Sequence, residues 1–113
     1  MKKRKPKENM YYYVSRMTDG IRGYVPVKPI WMIEFPEFPN YIFFLYLYED
    51  EGQFHVVEGS TGLSVSSYYH YSQKSAIESA ESNLLKHKDI FARMIQDHIN
   101  KYGTAPDPIE RND

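Results

Sequence analysis

No cysteine occurs in the 113-residue chain, which excludes disulfide staples, thiolate-bound zinc and a thiol nucleophile. That absence fits a reducing compartment. No apolar run approaches the roughly 18 residues that would read as a membrane-crossing helix. The stretch MYYYVSRM (Met10 to Met17) behind the basic start is too short and too polar for the apolar part of a secretory leader. A cytoplasmic protein is expected. Histidine is sparse as well. His55, His70, His87 and His98 include no H-x-x-x-H pair, so neither a metal nor a cofactor is expected. Gly59-Ser60-Thr61-Gly62 is not a Gly-x-Ser-x-Gly elbow, and it joins strands rather than a strand to a helix. Glu49, Asp50 and Glu51 crowd one turn, where solvation explains them better than paired-carboxylate chemistry. No catalytic residue stands out, and a non-enzymatic protein is expected.

What the chain has in excess is aromatic surface: eleven Tyr, six Phe and one Trp, 16% of its residues. Its formal charge of −1 hides an asymmetry. Five of the 14 basic residues (Lys2, Lys3, Arg4, Lys5, Lys7) lie among the first seven positions. The other nine face 15 acidic groups, so the remainder carries −6. A basic run of this kind can bind a phosphate backbone, and KKRKPK also has the pattern of a nuclear localisation signal, with a nuclear protein as the alternative to a cytoplasmic one. It equally suits a solvated, disordered terminus.

Periodicity divides the rest. Met10 to Met17 is rich in strand formers and ends at Asp19-Gly20, a two-residue hairpin signal. Pro26 and Pro29 cannot donate ladder hydrogen bonds, so their segment is an edge or a loop. Trp31, Ile33 and Phe35 alternate, and FPEFPN is a stiff connector. Tyr41 to Tyr48 is the clearest strand, EDEG a polar hairpin turn and QFHVVE its returning partner. After Gly59-Ser60-Thr61-Gly62, LSVSSYYH alternates as a third strand. The period then lengthens to that of a helix, with Ser72 as N-cap and Ala76, Ile77, Ala80 and Leu84 as the inward stripe. The pattern runs on through Phe91, Ile95 and Ile99 to Gly103. One helix of about 30 residues would be roughly 45 Å long, so a break near Lys88 and Asp89 is favoured. The expected fold is α+β: an antiparallel meander of three to five strands with a C-terminal helix, or two, packed on one face. Residues 1–9 are expected as a basic disordered tail, 10–103 as a single domain and 104–113 as a flexible C-terminal tail.

A family likeness rests on Gly52, Phe54, Val56, Gly62, Leu63, Ser72, Ala76, Ile77, Ala80, Gly103, Pro106 and Pro108. The charged hairpin, the glycine turn, a helix of type S-x-x-x-A-I-x-x-A and the late Gly and Pro-x-Pro together resemble the N-terminal domain of HicB-like antitoxins. The likeness covers about the C-terminal two thirds of the chain, with Glu58-Gly59-Ser60-Thr61 where that family carries Pro-x-x-Pro. It implies a non-catalytic, partner-binding fold of the antitoxin or mobile-element accessory kind.

A helix on one sheet face leaves the other to Tyr46, Tyr48, His55, Tyr68 and His70. Either the N-terminal segment folds over that face or a partner does. The second option makes these five residues a protein-binding surface for a small inhibitor or antagonist, because tyrosine offers large contact area at low entropic cost. The alternative partner is nucleic acid, held by Lys2, Lys3, Arg4, Lys5 and Lys7 with bases stacked on the aromatic face. A homodimer through the sheet edge or the last helix also fits so aromatic a surface.

Overall fold

A computed structural model describes residues 1–67 and 69–112. Its strands are β1 (Lys2–Arg4), β2 (Met10–Thr18), β3 (Ile21–Val27), β4 (Trp31–Glu34), β5 (Phe43–Tyr48), β6 (Gln53–Glu58), β7 (Leu63–Ser64) and β8 (Ile109–Glu110). Helices α1 (Gln73–Lys86) and α2 (Phe91–Tyr102) lie between the last two. A five-stranded antiparallel sheet in the order β1-β4-β5-β6-β7 stands beside a three-stranded one, β3-β2-β8. This is the expected α+β fold with two C-terminal helices on one face.

Local chemistry accounts for most boundaries. Asp19 and Gly20 both take positive φ (51° and 77°), as a two-residue turn between β2 and β3 requires. Pro26 sits in β3, an edge strand, where its missing N–H costs no ladder bond. Ser72 Oγ accepts the Ser75 N–H at 3.1 Å and starts α1. Gly103, at φ 81°, ends α2. The helical third breaks at residues 87–90, as expected, and Ile90 is the N-cap of α2, without a side-chain cap bond.

Three segments depart from the sequence reading. Lys2–Arg4 forms β1, paired with Met32–Glu34 of β4, where a disordered tail was expected. Ile109–Glu110 pairs with Met10 and Tyr11 of β2, inside the stretch expected as a flexible tail. The third meander strand stops at Ser64 rather than running to His70. Val65 still donates its N–H to the Val56 carbonyl at 2.8 Å; beyond it the Ser66 Oγ accepts the Val56 N–H at 3.0 Å, and the His70 carbonyl takes the Phe54 N–H at 2.8 Å.

Both faces of the central strands β4, β5 and β6 are largely buried. On one, Ile33, Phe43, Leu45 and Val56 meet Ala76, Ile77, Ala80 and Leu84 of α1 and Phe91 and Ile95 of α2. Phe35 and Phe38 of the proline connector turn inward onto the same core. On the other, Met32, Phe44, Tyr46 and Val57 pack against Val14 of β2, with Tyr12, Val27 and Tyr48 around them. The Tyr12 and Phe44 rings lie 5.1 Å apart. The N-terminal hairpin, not a partner, covers the second face. Aromatic residues occur on both sides of β5 because both sides are core.

Candidate interaction surface

Of the five residues expected to form a partner surface, Tyr46 and His55 are opposite each other in the β5–β6 ladder, with rings 5.7 Å apart. They are only 7% and 6% exposed. Residues this buried cannot lend contact area to another molecule, so these two belong to the core beneath the hairpin. Arg16 of β2 lies over the Tyr48 ring at 4.2 Å, leaving Tyr48 half-buried. Burial pushes the Tyr46 hydroxyl above its ordinary value, and Arg16 partly offsets this. Tyr68 lies outside the described residues. His70 is half-buried at the corner where the chain leaves β7 for α1.

Hydroxyls hold that corner. The His70 ring touches Ser75 Oγ through Nδ1 and Ser67 Oγ through Nε2, both at 2.7 Å. Ser67 in turn meets Ser79 of α1, Oγ to Oγ at 2.8 Å, and donates its backbone N–H to the same oxygen at 2.9 Å. The imidazole is thus clamped between the loop and the first turn of α1. Beside it Tyr69 has φ 71°, in the left-handed region a bulky residue rarely enters. Asn9 and Asp19 share that region, but short polar side chains tolerate it. The consequence is outward display: Tyr69 is 74% and Tyr71 66% exposed, and they flank the clamped histidine. Because the His70 carbonyl is bonded to Phe54, whose ladder partner is Leu47, this corner adjoins the exposed end of β5.

The sequence reading missed Tyr69 and Tyr71 as display residues. It assigned LSVSSYYH to a regular strand, which put Tyr69 on the face of Leu63 and Val65 and stopped short of Tyr71. The readable signal was the serine density, since short hydroxyl side chains compete with the backbone ladder for hydrogen bonds.

The basic residues are arranged otherwise than a free tail would be. Arg4 pairs with Glu34 at 3.8 Å and Lys7 with Glu110 at 3.3 Å, while Lys3 lies 4.9 Å from the Trp31 ring centre. All five basic residues remain exposed. The sheet face that carries Tyr46 and His55 is covered by the hairpin and so is closed to stacked bases.

Burial lowers the pKa of His55 and of His98; Arg16 acts in the same direction on the first and Arg22 on the second. Each is held below 6.5, so in that window the unfolded chain binds more protons than the folded one. Their contribution to stability is therefore lost as pH falls from about 6.5 through the lowered folded values.

Among the described residues Glu58 is the most deeply buried ionisable group, at 1% exposure. Its carboxylate accepts the Ser60 and Thr61 N–H groups at 2.7 and 3.0 Å and their hydroxyls at 2.7 and 2.8 Å. Saturated in this way, it shapes the Gly59–Gly62 turn. A cleft of about 470 Å³ beside the turn is walled by Ile95 and Ile99 of α2 and by Thr104 to Pro108. Among the described residues no group of three His, Asp or Glu side chains is placed to hold a metal. No family model, curated protein or solved structure matches the chain.

Proposed function

We propose that the protein is a non-enzymatic protein-binding module that engages another macromolecule through the Tyr69–His70–Tyr71 corner, as a small inhibitor or antagonist does. The observation that supports this reading is the outward display of two tyrosines, Tyr69 on a strained backbone, around a histidine bonded at both ring nitrogens. Backbone strain of this type costs about 1–3 kcal/mol and persists where the surrounding structure over-determines it, commonly at binding sites. A rigid aromatic anchor also loses little conformational entropy when a partner docks. The antagonist role itself rests on the likeness to HicB-like antitoxins.

The test is affinity capture from native-source lysate after nuclease treatment, followed by titration of the purified partner. Replacing Tyr69 and Tyr71 together by serine removes exposed rings and leaves both cores intact. If the corner is the anchor, binding weakens by at least about 2 kcal/mol, roughly thirtyfold in Kd. A stoichiometric partner that binds the double variant as tightly as the original chain refutes the assignment.

A further inference from the structure

Tyr102 ends α2, and Gly103 turns the chain away behind it, leaving the phenol 43% exposed. Two cations attend this ring. The Lys101 ammonium is 5.2 Å and the Arg22 guanidinium 4.8 Å from its centre. Arg22 reaches there from β3, steadied by a 2.7 Å bond from Nη1 to Ser15 Oγ. The His98 ring lies 4.8 Å away on the same helix. Elsewhere among the described residues a ring has a single cation over it, Lys3 over Trp31, Arg16 over Tyr48 and Arg111 over Tyr11, or the cation meets a carboxylate, as Arg4 does Glu34, Lys7 Glu110 and Lys74 Glu78. Among the described residues neither Arg22 nor Lys101 has such an ion pair.

We propose that Tyr102 is a site of covalent modification, whose hydroxyl accepts a group from an activated sulfonyl donor. The chemistry follows from placing positive charge beside a phenol. Lys101 first, by hydrogen bonding and by charge, and then Arg22 hold the Tyr102 hydroxyl below the usual phenol range. A larger share of phenolate at neutral pH means a better oxygen nucleophile, and exposure at the helix end leaves room for the incoming group. With an arylsulfonyl fluoride the phenolic oxygen forms a bond to sulfur, the sulfur–fluorine bond breaks, fluoride departs and the phenolic proton passes to solvent.

Tyr71 is the internal reference. It is more exposed, at 66%, yet among the described residues no cation lies over its ring. The full chain is treated with an arylsulfonyl fluoride at neutral pH, and labelling at each tyrosine is followed by peptide mass mapping. Tyr102 is expected to label several-fold faster than Tyr71. Lys101→Gln, an exposed change that leaves the helix intact by circular dichroism, is expected to slow Tyr102 several-fold, and Lys101→Arg to preserve its rate. Labelling that follows exposure, with Tyr71 ahead, overturns the proposal. So does a Tyr102 rate unchanged in Lys101→Gln.

Discussion

Replacing Phe44 by alanine is expected to lower stability by about 3–5 kcal/mol, enough to unfold much of the population of a small domain. Phe44 has no exposed surface and sits between Met32 on the neighbouring strand and Tyr12 on the covering hairpin. Removing the ring forfeits its transfer free energy and opens a cavity that two sheets cannot both close upon. Equilibrium urea denaturation measures the loss. Met17→Ala provides the contrast, since Met17 belongs to the same hairpin but is 56% exposed. That change is expected to stay within about 0.5 kcal/mol. A mild effect at Phe44 would mean that the hairpin does not seal this face.

Gly62→Ala is the second large effect, and its origin is different. Gly62 has φ 72°, and a Cβ built there would lie 2.7 Å from the Ser15 nitrogen and 3.0 Å from the Tyr13 carbonyl oxygen. Both are backbone atoms of β2, so no side chain can swing away. At the same contact the Ser15 N–H donates to the Gly62 carbonyl at 2.8 Å, tying the turn after β6 to the covering hairpin. Left-handed strain of about 1 kcal/mol adds to about 1–3 kcal/mol of overpacking, for an expected loss of roughly 2–4 kcal/mol. Gly52→Ala separates the two terms. Its φ is 65° but nothing lies within 4 Å, so only the strain should appear in the same urea titration.

These two sites also mark where sequence reading reached its limit. Asp19-Gly20, Ser72 and Gly103 were legible because turn and cap chemistry is local: each residue's own side chain, or lack of one, favours the conformation found. β1 was not legible. Lys2–Arg4 carries no apolar alternation, and its strand form depends on pairing with β4 about 30 residues away. β8 depends in the same way on β2, across almost the whole chain. The aromatic density of Tyr41 to Tyr48 identified a strand with two apolar sides. What closes the second side is a non-local matter, and Tyr46 and His55 were accordingly assigned to a partner when Val14, Tyr12 and Val27 cover that side. At the candidate site, His70 was identified for an alternation that ends before it, while Tyr69 and Tyr71 owe their exposure to a side-chain network that periodicity does not encode.

Native-state hydrogen exchange on the intact chain tests most directly the claim that the protein closes its own aromatic face and leaves the Tyr69–Tyr71 corner open. The account predicts that amides of β2 opposite β3 exchange as slowly as those of β5, both only through global unfolding, while the Tyr71 amide exchanges far faster. Amides of β2 exchanging orders of magnitude faster than those of β5 would contradict it, because the hairpin would then be a detachable flap and Tyr46 and His55 a surface awaiting a partner.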